Sequence, residues 1–190
     1  NPTKEIDLII QVANFHYRYG GIWQKVGFGL EKDLREQQER ASILDFFLVG
    51  SIFIMALYHL GLYVIRRQNR SALYFALTCF IASLRLLVTD EYLIHHFGPN
   101  NWFFDFRLEY FTLNAGPLVF LWFFHSLFPK DFSRKIIKGL SLLFGLLCFT
   151  NLVLPPHLFS KALPVSQFII LAMCIYSIYG LVRATIRKRE

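Results

Sequence analysis

Four ionisable side chains, Asp45, Arg85, Arg107 and Glu109, stand inside otherwise apolar stretches of this sequence. In hydrocarbon each charge costs about 3 kcal/mol unless it is paired or near water, so each is a candidate for mechanism. Two acids and two bases suit interhelical ion pairing. Arg85 and Glu109 are the best-matched pair, because an arginine fork fits a carboxylate in bidentate geometry. Asp45 would be the third member of such a network. Arg107 is two residues from Glu109 and faces another side of a helix, so its long stem is expected to snorkel to the headgroups. The plainer alternative leaves all four in interfacial water.

Asn114, Gly116 and Pro117 form a second group. Proline removes a helical hydrogen bond and crowds the preceding turn, which predicts a kink near Leu113, serving as a hinge or as a static bend. His59 and His125 could form a proton-sensitive pair, with interfacial histidines satisfied by their surroundings as the alternative. Neither has a second ligand at helical spacing, so no metal site is expected. Cys79, Cys148 and Cys174 lie far apart in sequence, without C-x-x-C spacing, and read as small packing residues. No nucleophile with a base, phosphate loop or catalytic acid pair is present, so no catalytic or cofactor-binding residue is expected in this stretch.

The elements that must position these residues are five hydrophobic segments, at 42–65, 71–89, 106–128, 136–154 and 164–186. Each runs to about 19–24 residues, enough for a helix rising ~1.5 Å per residue to cross a ~30 Å hydrocarbon layer. Their loops carry a one-sided charge. Eleven Lys and Arg lie after the first, third and fifth segments: Arg66, Arg67, Arg70, Lys130, Arg134, Lys135, Lys138, Arg183, Arg187, Lys188 and Arg189. The alternate loops, 90–105 and 155–163, hold only Lys161. By the positive-inside rule the basic loops are cytoplasmic, residues 1–41 lie outside and the chain ends inside. This topology also orders depths: Asp45, Arg85, Arg107 and Glu109 fall within roughly 6 Å of one outer level.

Composition agrees. A chain 55% apolar and 17% aromatic is too hydrophobic for an ordinary soluble domain. Its net charge of +7 is largely accounted for by topology and attraction to anionic lipid. Nucleic acid is not an expected partner, for there is no zinc-ligand spacing, basic-aromatic repeat or recognition-helix pattern.

The outer stub reads as two strands, 5–13 and 22–28, around the turn at Gly20-Gly21. Two strands cannot bury a core alone, so they are expected to complete a sheet begun upstream. Tyr17, Tyr19 and Trp23 either fill that small β core or form an aromatic platform for a ligand such as a sugar. Residues 30–41 are polar good helix formers and predict a stiff helix leading into the first span. Tyr92, Phe97, Trp102, Phe103, Phe104 and Phe106 crowd the next outer loop, as an interfacial aromatic belt or a docking face for the β domain.

These residues carry a family resemblance. Residues 9–29, with the run N-F-H-x-R-x-G-G-I-W, resemble the last strands of a jelly-roll sensor domain standing outside the membrane in bacterial seven-transmembrane receptors with diverse intracellular signalling modules. Residues 107–129, opening on L-E-Y and closing on L-F-P, resemble that family's third span. The first span, with Gly50, Tyr58 and Leu62-Tyr63, followed by R-R-Q-N-R-S-A-L-Y-F-A-L, resembles the hairpin before it. The resemblance implies seven spans and a cytoplasmic output domain, whereas five spans are seen. The sequence therefore reads as an excerpt of a longer chain.

The expected architecture is an all-α polytopic membrane bundle at 42–190, preceded by a linker helix at 30–41 and β-strands of an extracytoplasmic domain at 1–29. The expected function is a receptor of the bacterial cytoplasmic membrane. A small-molecule ligand, a carbohydrate for example, would act on the outer domain, and a cyclase, kinase or phosphatase beyond this stretch would respond, with a homodimer as the implied assembly. A transporter fragment is the alternative; it would show inverted repeats and matching broken helices, whereas only the third span is interrupted.

Overall fold

The computed structural model describes residues 9–11, 26–89, 93–96 and 101–186. Tyr17, Tyr19 and Trp23, together with most of the two expected strands, lie outside the described residues. The described residues at 9–11 and 26–30 form no strand.

Helix α1 (Glu31–Ile65) is continuous through the polar linker and the first span. Its 35 residues make a rod of about 52 Å against a hydrocarbon layer of about 30 Å. The excess is the polar end, laced at i,i+4 by Lys32–Glu36 (3.9 Å), Arg40–Glu36 (3.9 Å) and Arg35–Glu39 (3.3 Å). Such exposed pairs contribute about 0.3–0.5 kcal/mol each and keep the first turns helical. Glu31 and Asp33 place negative charge at the positive end of the helix dipole.

A turn at residues 66–69 leads into α2 (Arg70–Val88), which packs along α1. Small side chains line the contacts: Ala56 in α1, and Ala72, Ala76 and Ser83 in α2, are all buried. Between lipid-immersed helices no hydrophobic force drives association, so close backbone approach across small residues supplies the packing. Large apolar side chains of α1, such as Phe47, Ile54 and Ile65, point away from the bundle and suit lipid contact.

Helix α3 (Trp102–Leu127) starts four residues before the expected third span. Its cap, Asn101, accepts a hydrogen bond from the Phe104 N–H at 3.3 Å. It packs against α2, α4 (Arg134–Val153) and α6 (Leu163–Ile186). By length and apolarity α1, α2, α4 and the α5–α6 segment suit membrane crossing. The central α3 carries Asn114 and His125 because neighbouring helices, not lipid, surround much of it. The expected outer loop 155–163 is ordered as a short helix α5 (Pro156–Phe159), with proline in its first turn, and a 3₁₀ turn, Ser160–Ala162.

The main core joins α3, α4 and α6 through Leu121, Phe132, Ile137, Phe144 and Met173, all nearly inaccessible. A second cluster, Phe106, Tyr110 and Phe159, joins the start of α3 to α5 with ring centroids 4.8–5.4 Å apart.

Candidate functional site

The end of the bundle where α2 and α4 finish and α3 begins is tied by two arginines. Arg85 lies in the last turn of α2, and its Nη1 donates to the main-chain oxygen of Glu109 on α3 at 3.1 Å. The same carbonyl accepts from Thr112 Oγ1 at 2.9 Å. The two residues paired from sequence therefore meet, with the arginine on the Glu109 backbone. Asp45 is half-buried on α1 and makes no hydrogen bond or ion pair among the described residues.

Arg107 departs from expectation. Instead of reaching for headgroups, its guanidinium crosses to the C-terminal end of α4. It donates to the carbonyl of Asn151, to that of Leu152 at 2.7 Å and to that of Leu154 at 3.0 Å. The last carbonyls of a helix have no intrahelical partner and carry the negative end of its dipole, so a cation with several N–H donors satisfies them together. The side chain of Asn151, 1% exposed, returns a bond from Nδ2 to the Arg107 oxygen at 2.8 Å. The guanidinium also lies over the Phe159 ring, 5.7 Å from its centroid. Arg107 thus joins α3, α4 and α5.

Sequence reasoning missed this tie because it looked for partners of the charged residues among charged residues only. Asn151 was the available signal: an amide near the outer end of a span, at the depth of an arginine on a neighbouring span.

Asn114 is buried mid-way along α3, and its Oδ1 has no hydrogen-bond partner among the described residues. Helix α3 runs on through Pro117, which leaves the Leu113 carbonyl without its usual donor. Gly116 faces α2, where a β-carbon would meet Ile81 at 3.5 Å. Polar strain and close helix approach thus coincide at mid-span.

The two histidines have separate local partners. His59 Nδ1 lies 3.0 Å from the Met55 oxygen, with its ring 4.4 Å from that of Phe75. His125 Nδ1 lies 3.1 Å from the Phe132 oxygen. Among the described residues no three His, Cys, Asp or Glu side chains converge as metal ligands.

An arrangement of main-chain ties between helix ends, with no converging reactive groups among the described residues, suits the holding and release of helix positions. No curated protein and no solved structure matches the chain. A family model described as 7TM diverse intracellular signalling matches residues 41–190, from the apolar part of α1 through α6. The chain is an integral, multi-pass membrane signalling receptor and belongs to the 7TM diverse intracellular signalling family.

Proposed function

We propose that this chain is the membrane relay of a receptor in the bacterial cytoplasmic membrane, carrying ligand binding outside the cell to a cytoplasmic output module. The observation that supports the reading most is α1, a single helix of 35 residues running from a polar outer end to the basic turn at Arg66. It meets the rest of the bundle chiefly through α2. A rod held on one side can be shifted by an outer domain without unmaking the α3–α4–α6 core. A ligand must favour one rod position over the other, since equal affinity for both moves nothing. A carbohydrate-type ligand is the version of this reading in which Tyr17, Tyr19 and Trp23 form an aromatic platform, and a dimer is the assembly that a kinase or cyclase output would need. This region relays; catalysis belongs to the output module.

The test breaks the rod above the membrane in the full-length receptor. Gln38→Pro removes a helical bond in the exposed section and bends the helix, whereas Gln38→Ala preserves it. Output of the Gln38→Pro receptor is expected to stay at one level across media that vary the wild-type output, with membrane insertion unchanged. A Gln38→Pro receptor as responsive as wild type would refute the relay.

A further inference from the structure

At the opposite, cytoplasmic end of the bundle a cleft of about 370 Å³ opens between the α1–α2 turn, the first turn of α2, the last turn of α3 and the start of α4. Its volume is in the range of small-ligand sites, about 300–1,000 Å³. Arg70 and Arg134 line it from two different helices, and among the described residues no acidic side chain does. Arg85 and Arg107 are engaged with main-chain oxygens, but neither the Arg70 nor the Arg134 guanidinium has a hydrogen bond or ion pair among the described residues. Tyr74 and Trp122, stacked with centroids 6.0 Å apart, also line the cleft. The Trp122 Nε1–H is fixed on Ser141 Oγ at 2.9 Å, so its ring is held in place. Ser71 and Ser126 also line the cleft, their hydroxyls donating to Asn69 Oδ1 and to the Phe123 carbonyl.

Two unengaged guanidiniums converging on a roomy, acid-free cleft match a phosphate, which arginine forks hold in bidentate fashion. The starts of α2 and α4 add to this field, since neither cap residue, Asn69 or Ser133, makes a side-chain cap bond to its helix. α1 and α3 end here and α2 and α4 begin here, so the cleft stands at headgroup level on the basic side of the membrane. We propose that this cleft binds the phosphate-bearing headgroup of an anionic inner-leaflet lipid. Lipid composition then becomes a second input, because the bound headgroup joins the α1–α2 hairpin to α3 and α4.

Trp122 is the reporter. The full chain, with Trp23 and Trp102 replaced by Phe, is reconstituted in phosphatidylcholine vesicles containing brominated phosphatidylglycerol or brominated phosphatidylcholine. Quenching of Trp122 is expected to favour the anionic lipid. The concentration for half-quenching is expected to rise about tenfold or more in R70Q/R134Q, and less than about threefold in R66Q/R67Q, which removes equal charge beside the cleft. Ser126→Phe, which fills the cleft and keeps every charge, is expected to lose the preference too. Inorganic phosphate is added as a competitor. Preference that survives it supports the headgroup, whereas displacement by phosphate without any lipid preference overturns the lipid assignment. Equal quenching by both lipids, equal losses in the two double variants, or retained preference in Ser126→Phe would also overturn the proposal.

Discussion

Arg107 and Asn151 bind each other reciprocally: the arginine side chain holds the carbonyl of Asn151, and the Asn151 amide donates back to the Arg107 carbonyl at 2.8 Å. The pair spans 44 residues of sequence and joins the beginning of α3 to the end of α4. The arginine supplies donors to α4 carbonyls that have no intrahelical partner, so its loss leaves those carbonyls unpaired, whereas loss of the Asn151 amide removes a second bond from an Arg107 carbonyl already inside α3.

Replacing Arg107 with Met keeps the stem and deletes every donor. It is expected to destabilise the bundle by about 1.5–3 kcal/mol, the range for hydrogen bonds to a charged group. Asn151→Ala is expected to cost less, about 1 kcal/mol, near the typical value for interhelical bonds in membranes. The double variant should fall short of the sum, because both changes remove one tie. Equilibrium unfolding in mixed micelles measures all three, and full additivity would show that the two residues act separately.

Exchanging charges between Arg85 and Glu109 is expected to fail as a rescue. The Arg85 donor goes to the Glu109 main-chain oxygen, and a side-chain swap moves no carbonyl. Arg85→Glu should lower stability by about 1–2 kcal/mol, and adding Glu109→Arg should restore none of it. Asp45→Asn, by contrast, should shift stability by less than about 0.5 kcal/mol. Thermal melts of the three variants in one detergent check this, and recovery in the swapped pair would point to a carboxylate partner.

The helices, and the meeting of Arg85 with Glu109 across α2 and α3, were legible because lipid imposes length and apolarity on helices, and loop charge sets their order of depth. The receiving atoms were not legible. Every non-proline residue has the same backbone carbonyl, and which carbonyl lies opposite a guanidinium depends on helix rotation and on the fold-back of α5. The outer loop after α4 illustrates the point. Phe159 reads as one more interfacial aromatic, yet it is buried against Phe106 and Tyr110, because Pro155-Pro156 starts a helical turn there.

Gly180 marks a second contact that sequence alone does not disclose. The ring of Phe132, from the α3–α4 loop, lies against it so closely that a β-carbon would come within 2.7 Å of Cε1. The ring is stacked on Phe124 and meets Tyr176 edge-on, and the Tyr176 hydroxyl accepts from the Ser133 N–H at 2.8 Å. With the ring held on several sides, Gly180→Ala is expected to cost about 1–3 kcal/mol by overpacking. Phe132→Ala alone should cost about 3–5 kcal/mol, while in that background Gly180→Ala should be nearly neutral. A double-mutant cycle by thermal unfolding tests the contact, and a neutral Gly180→Ala in the wild-type background would show that the loop yields.

Asn114 gives the prediction closest to signalling. An unsatisfied amide oxygen in a core costs about 1–3 kcal/mol, and its neighbour Pro117 leaves a second carbonyl, that of Leu113, without a helical donor. Both are mid-way along the helix that touches α2, α4 and α6. Replacing Asn114 with Leu removes the unpaired group at similar volume, so the resting arrangement should gain about 1 kcal/mol and melt a few degrees higher. If the strained segment is where α3 changes packing, the same variant should respond less to the wild-type stimulus in the full-length receptor. Pro117→Ala should act in the same direction, since it restores the missing donor. Higher melting with an unchanged response would make the mid-span polar group a static feature of the fold, and lower melting would show that Asn114 has a partner in the resting state.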